Sequence, residues 1–225
     1  MRAVTYLALA GLLASPCAWA QSPATVTFHF ENPQLQPAKY TITVHEDGTG
    51  QYHAEAGPSN PDDIAALPSQ GEDRPIQVTT ATTQRIFATA RAKKFFDIAC
   101  EGGDAHLAFT GKKELGYQGS DGHGGCTYNY SKDPKIQWIT TEMEGIAATL
   151  ESGRRLKLEH EHGRLSLDAE LESLETMVQN GQAVELQNIA PTLVDIVKDQ
   201  DVMQRAQKRA RHLLAIVDAG GIVTK

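Results

Sequence analysis

Apolar and polar residues alternate near the start of the chain, as is typical of half-buried β-strands. Residues 25–30 and residues 40–45 both follow this alternation, and a third run surrounds Tyr52. Glu46-Asp47-Gly48 separates the second and third runs and is a strong turn signal. A three-residue turn keeps the apolar side chains on one face, with Ile42 opposite Tyr52. We therefore predict a hairpin with Gly48 in the left-handed conformation.

The chain between this hairpin and residue 130 predicts short, mixed elements. Four prolines and two glycines in residues 56–75 indicate a long loop, with a helical turn over residues 62–67. A short strand over residues 76–78 and a helix over residues 80–96 follow. A second hairpin is expected to pair residues 107–110 with residues 114–117, and a strand is expected over residues 127–130.

Helical periodicity dominates the second half of the chain. Asp133-Pro134 is a helix start, and apolar residues then recur every three or four positions as far as Leu150. Gly153 is expected to end this helix. Residues 155–162 alternate and fit either a strand or a continued helix. Three further helices are expected, in residues 167–180, in residues 183–198 and after residue 201, where Asp201 and Gln204 resemble a capping box.

These elements predict an α+β fold, because strands and helices mix without regular βαβ alternation. We expect an antiparallel sheet with packed helices over residues 21–160. A small C-terminal helical subdomain over residues 165–225 should dock on it, since some 60 residues are few for an independent core.

Residues 1–20 have the pattern of a secretory signal peptide. One positive charge at Arg2 precedes an uncharged apolar run, and Ala18-Trp19-Ala20 supplies the small-residue cleavage pattern. Cleavage is expected between Ala20 and Gln21, which predicts a periplasmic or secreted protein. A lipoprotein anchor at Cys17 is the alternative. No later segment has 18 consecutive apolar residues, so no transmembrane anchor is expected after cleavage.

Charge narrows the range of partners. The 21 Lys+Arg and 28 Asp+Glu residues give a net charge of −7, so overall charge does not favour nucleic acid or an anionic membrane. A local exception is the basic face of the last helix. It carries Arg205, Lys208, Arg209 and His212, which could bind an anionic partner or pair with the acidic helix that begins near residue 167.

Cys100 and Cys126 remain after removal of the signal peptide. In an oxidising compartment two cysteines most simply form a disulfide. The alternative is a nucleophilic Cys126 with His123 as its base. That alternative needs a reduced thiol and a rigid site, whereas residues 119–125 are rich in glycine and predict a mobile loop.

Two groups of side chains are candidates for further chemistry. His160 and His162 would point to one face of a strand and could bind Zn²⁺, the one cofactor that the sequence suggests, although no third ligand is recognisable nearby. Asp121 and His123 could form a base and its orienting partner. His29, His45 and His53 share one face of the first sheet, but the predicted register holds His45 and His53 about 13 Å apart.

The strand of residues 40–44 with Glu46-Asp47-Gly48, followed later by Lys94-Phe95-Phe96-Asp97, resembles exported bacterial domains of unknown function. The resemblance covers residues 38–151 and supplies no active-site residues. Because the sequence has no recognisable nucleophile motif, carboxylate pair or cofactor loop, we expect a non-catalytic binding or envelope-associated protein whose partner is an unknown protein or small ligand. A hydrolase or metal-dependent enzyme using Asp121, His123, His160 or His162 is one alternative. An inhibitor-like module that presents the glycine-rich loop is another.

Overall fold

A computed structural model describes residues 23–55, 71–102 and 108–220. Its centre is a six-stranded antiparallel sheet with the strand order β4-β3-β2-β1-β5-β6. The predicted signal peptide, its cleavage site at Ala20 and Gln21, and the predicted helical turn over residues 62–67 lie outside the described residues. The strands are β1 (Thr25–Glu31), β2 (Lys39–His45), β3 (Thr49–Ala54), β4 (Glu72–Gln77), β5 (Lys112–Gly119) and β6 (Gly122–Tyr128).

The first predicted hairpin is confirmed. Ile42 pairs with Tyr52 across β2 and β3, and Gly48 has a φ of 84°. The apolar residues of β1 and β2 are buried, as their alternation predicts. β4 starts at Glu72 and not at residue 76, so it reaches into the proline-rich segment. It is an edge strand, where a proline such as Pro75 is tolerated.

The second predicted hairpin is wrong in its position. β5 and β6 pair over residues 113–128, and the turn between them lies at Ser120 and Asp121. The glycine-rich segment, expected to be a mobile loop, therefore forms most of β6. Residues 108–110 are not in a strand, and Leu107 lies outside the described residues.

Helix α1 (Thr80–Ala92) ends earlier than predicted, because a left-handed turn follows it. Lys94, Phe95 and Phe96 have φ values of 52°, 60° and 67°. The Phe95 ring lies on β6, where a Cβ added at Gly122 would lie 2.2 Å from it. Only glycine leaves room for this contact, so the glycines of β6 serve packing.

Helix α2 (Pro134–His162) begins where predicted, with the Asp133 side chain accepting a hydrogen bond from the backbone N–H of Lys135. It does not end at Gly153, which is buried within it. Residues 155–162 are therefore helical. A Cβ at Gly153 would lie 2.3 Å from Cγ2 of Ile189, so the glycine allows a later segment to approach the helix closely.

The C-terminal part is helical, as expected. Pro191 lies in the first turn of its helix and does not kink it. The predicted capping box at Asp201 is wrong, since the final helix begins later, with Met203 at the N-cap position and no side-chain cap. The elements are α3 (Leu167–Gln179), a 3₁₀ turn (Leu186–Ile189), α4 (Ala190–Lys198) and α5 (Gln204–Asp218).

Two apolar cores share α2. Its first half, including Ile139 and Ile146, packs with the sheet and α1, whereas Leu156 packs among the C-terminal helices. Hydrogen bonds join the two parts directly: Arg74 on β4 donates to the Asn188 carbonyl at 2.6 Å, and the Thr79 N–H donates to Glu185 at 2.7 Å. The fold is α+β with a C-terminal helical part, as predicted.

Candidate functional site

A pocket of about 680 Å³ lies between one end of the sheet and α2. We call it the sheet-end pocket. The antiparallel order brings the end of β1, the start of β2, the start of β5 and the end of β6 to this place. Its aromatic wall consists of Phe30, Tyr40, Tyr128 and Tyr130, and α2 contributes Gln137, Thr140, Thr141, Glu144, Ala147, Ala148, Glu151, Ser152 and Arg155.

Lys113 places a buried cation in the wall of the sheet-end pocket. Its side chain is only 5% exposed. The ammonium group donates to the Asn129 and Gly111 carbonyls at 3.1 and 3.2 Å and to the Thr110 hydroxyl at 3.1 Å. Burial lowers the pKa of Lys113, and Glu144 opposes that shift. Protein oxygens therefore already surround this ammonium group.

Glu144 faces Lys113 from α2. Its carboxylate lies 3.7 Å from the Lys113 ammonium, which is too far for a hydrogen bond, and its side chain is 40% exposed. Burial is the main cause that raises the pKa of Glu144, and Lys113 partly offsets it. The carboxyl group is therefore an open acceptor on the pocket wall.

Tyr40 carries a second open polar group. The residue is 6% exposed, and its hydroxyl has no hydrogen-bond partner in the described part of the chain. No fully enclosed polar side-chain atom there lacks a partner, so this hydroxyl is accessible, and Tyr40 lines the pocket. Burial and the nearby Glu144 carboxylate both raise the pKa of Tyr40 well above its usual value, which keeps the phenol protonated.

The remaining polar side chains of this wall hold one another in place. Thr140 donates to the Ile136 carbonyl at 2.7 Å, so the Tyr128 hydroxyl is the donor in its 2.5 Å bond to Thr140. Gln137 donates to the Tyr130 hydroxyl and to the Ser131 carbonyl, both at 2.8 Å. These bonds fix the aromatic side chains before any ligand arrives.

Large apolar side chains are exposed at the rim of the pocket. Leu35 is 51% exposed and Tyr130 is 37% exposed, and both line it. Phe109, 57% exposed, directly precedes the lining residue Thr110. Exposed apolar groups around a concave site are typical of binding surfaces.

His160 and His162 do not form the site that the strand interpretation requires. They lie two residues apart on α2, so their side chains point about 200° apart. His160 contacts Asp199 at 2.8 Å and His162 lies 3.8 Å from Glu161. In the described ranges, no three His, Cys, Asp or Glu side chains are placed to hold one metal ion.

Asp121 and His123 are not paired either. The Asp121 carboxylate accepts hydrogen bonds from Arg91 at 2.7 Å and from the Tyr117 hydroxyl at 2.5 Å. These bonds lower the pKa of Asp121, with the Tyr117 bond the largest cause. His123 lies on β6 opposite Gln118. Asp121 therefore connects α1 to the β5–β6 turn.

The sulfur atoms of Cys100 and Cys126 lie 2.01 Å apart, and their α-carbons lie 5.8 Å apart. This is the pairing that the sequence predicts, and it leaves no thiol at Cys126 for nucleophilic chemistry with His123. The bridge links β6 to the segment that follows the left-handed turn. Both residues belong to the sheet core or pack against it.

The basic face of α5 pairs largely with α3. Arg205 and Arg209 both contact Asp168, at 2.6 and 3.3 Å, and His212 contacts Glu175 at 2.8 Å. Asp168 is only 4% exposed, so these pairs hold the two helices together. The structure therefore supports the interpretation that the basic face of α5 pairs with the acidic helix α3.

The histidines on the outer face of the sheet each have a separate partner. His29 bonds to Thr41 at 3.0 Å, His45 to Thr25 at 3.2 Å, and His53 to Asp73 at 2.7 Å. Thr41 lies on β2, between His29 on β1 and His53 on β3. They are surface polar contacts.

Sequence reasoning missed the sheet-end pocket. Lys113, Glu144 and Tyr40 come from β5, α2 and β2, and no sequence motif links them. One signal was available: Lys113 follows the alternation of β5 in register with the buried Leu115 and Tyr117, which places a lysine on the apolar face.

No helix in the described ranges combines the length and the apolar character that crossing a membrane requires. Comparison with known proteins adds no further assignment: the chain matches no protein-family model, and no curated protein matches it.

Proposed function

We propose that this chain is an exported, non-catalytic binding protein and that the sheet-end pocket is its ligand site. The observation that carries the proposal is the pocket itself. Its volume of about 680 Å³ falls within the range of small-molecule sites, which are mostly apolar with a few placed polar groups. Its aromatic wall, with Glu144 and the Tyr40 hydroxyl as open polar groups, has that composition.

The rival functions have less support. A hydrolase at Asp121 and His123 would need a free base, and the Asp121 carboxylate is committed to Arg91 and Tyr117. A metal-dependent enzyme at His160 and His162 would need both imidazoles on one face. An inhibitor-like module would need a protruding mobile loop, whereas the glycine-rich segment is part of the paired β5–β6 hairpin.

The binding function is tested by filling the pocket. Ala148→Trp places a large side chain in the lining, and Ala88→Trp makes the same change on the exposed side of α1. Ligand-observed NMR with a fragment collection should give hits with the wild type and Ala88→Trp that Ala148→Trp loses. Equal hits with both variants would contradict a site in this pocket.

Export is tested separately. The signal pattern of residues 1–20 and the Cys100–Cys126 pair both support an oxidising compartment. Mass spectrometry of the exported protein should show a chain that starts at Gln21. A chain starting at Met1, or a lipid on Cys17, would contradict cleavage at Ala20.

A further inference from the structure

We propose that the sheet-end pocket binds a small organic amine, with an apolar body against the aromatic wall and a protonated amino group at Glu144 and Tyr40. The inference rests on the proposed function, because it names the ligand chemistry of the same pocket. Some polar groups of the wall already have hydrogen-bond or ion-pair partners, and the groups that have none indicate the chemistry of the ligand.

The two cations of the pocket are already engaged. An ammonium group has three protons to donate, and four oxygen atoms surround that of Lys113 at 3.1 to 3.5 Å, two from Thr110 and one each from Gly111 and Asn129. Arg155, at the other end of the lining, contacts Glu151 at 3.2 Å and Glu170 at 3.9 Å. An anionic ligand would have to displace these contacts.

Three polar groups of the wall are open to accept hydrogen bonds. In the described part of the chain, Glu144 receives no hydrogen bond within 3.5 Å, and its ammonium neighbour stays 3.7 Å away. Gln137 uses its amide nitrogen for both of its hydrogen bonds, so its amide oxygen is left as an acceptor. The Tyr40 hydroxyl can also accept. A ligand that satisfies these groups must bring donors, as an ammonium group does.

The aromatic wall favours the same charge. The rings of Phe30 and Tyr40 stack with centroids 5.0 Å apart, and Lys113 already lies over Phe30 at 5.4 Å. Aromatic faces carry negative charge density and attract cations, more strongly when water is excluded. An amine with a ring or alkyl body would therefore contact the wall through its body and the open acceptors through its amino group.

The test is a matched panel on the intact protein. 2-Phenylethylamine, cyclohexylmethylamine and hexylamine are compared with the alcohol and the carboxylic acid of each body, by titration at pH 8, where amine and carboxyl are charged. The amines should bind at least about tenfold more tightly than their alcohols and acids. Alcohols or acids that bind as tightly as the amines would overturn the amine assignment and leave the binding function intact.

Two substitutions locate the amino group. Glu144→Gln should weaken amine binding about tenfold and leave the alcohols unchanged. Because Glu144→Gln also removes a neighbour of Lys113, Tyr40→Phe is the second variant. It deletes only a hydroxyl and should weaken amine binding a few-fold. Amine affinities that both folded variants leave unchanged would overturn the inference, as would a panel in which no amine binds. The loss of fragment hits in Ala148→Trp tests the binding function of the sheet-end pocket separately from the amine assignment.

Discussion

Gly153 lies where α2 and the 3₁₀ turn Leu186–Ile189 come closest. Glycine within a helix costs about 1 kcal/mol relative to alanine. Here a methyl group would lie 2.3 Å from Cγ2 of Ile189 and 3.0 Å from its Cβ. Such distances require the 3₁₀ turn to move, so the close approach outweighs helix propensity.

Gly153→Ala should therefore destabilise the protein, by about 1–3 kcal/mol, as overpacked sites generally do. Urea unfolding followed by circular dichroism measures the change. As a control, adding Gly153→Ala to Ile189→Ala should cost less than it costs in the wild type, because the main clash is gone. A Gly153→Ala protein that is more stable than the wild type would show that helix propensity outweighs the contact with Ile189 at this position.

Glu142 makes stability depend on pH. Burial is the main cause that raises its pKa from 4.5 to about 7, Glu185 adds to the shift and Arg85 opposes it. Because the folded-state pKa is the higher one, the native protein binds more protons than the unfolded chain between these values. The free energy of unfolding should therefore fall as the pH rises from about 4.5 to 7.

Glu142→Gln should remove this contribution, which is about 1–3 kcal/mol from a shift of this size after allowance for partial exposure. Urea titrations at pH 5 and pH 8 measure it. The variant should lose less stability than the wild type between these two values. If both proteins lost the same stability between pH 5 and pH 8, Glu142 would not titrate as its burial implies.

The strands and helices differ in how well local patterns predict them. The β2–β3 hairpin follows from alternation and a three-residue turn, both of which are local. The glycines of residues 119–125 predict a mobile loop, although residues 122–125 belong to β6, and Gly122 is a glycine because the Phe95 ring packs on it. α2 was predicted to stop at Gly153 because Ile189, which needs that glycine, lies far along the chain. Contacts distant in sequence caused both errors.

The C-terminal helices are expected to stabilise the whole fold. Leu171 on α3 and Leu213 on α5 are fully buried, so Leu171→Ala or Leu213→Ala should cost about 2–5 kcal/mol. Leu165→Ala is the matched control, because Leu165 is 91% exposed and should change stability by less than about 0.5 kcal/mol. Chemical unfolding measures all three.

Truncation after Ser166 tests the same dependence more severely. The truncated chain loses every partner of Leu156 in the second core and the Asn188 carbonyl that accepts from Arg74. Its melting temperature should fall. An unchanged melting temperature would show that the C-terminal helices are an independent appendage.

The Cys100–Cys126 bridge is expected to be present in the native protein. Thiol titration of the native protein should find no free thiol. Reduction should lower the free energy of unfolding by about 2–4 kcal/mol, because it opens the loop that the bridge closes and so gives the unfolded chain more conformational freedom. Cys126→Ser should match the reduced protein. Two reactive thiols in the native protein would contradict the bridge.

For the whole molecule, the fold class and most elements could be predicted, whereas the candidate site could not. Periodicity marks which residues are buried, and burial patterns suffice for an α+β assignment. The sheet-end pocket depends on which strand ends meet beneath α2, and that depends on strand order. No residue of β1 indicates that its second neighbour is β5.

That strand order has a consequence for a partly synthesised chain. On one side β1 pairs with β2, which is the next strand in the sequence. On its other side β1 pairs with β5, which comes much later in the sequence; there Glu31 pairs with Lys112. Until β5 has been made, the strands β1 to β3 expose an unpaired edge next to the apolar side chains of Val26, Phe28 and Phe30. Such an edge can pair with another chain, and long-range pairing is slow. Nascent or truncated chains that end before residue 112 should therefore aggregate more readily than the full-length chain.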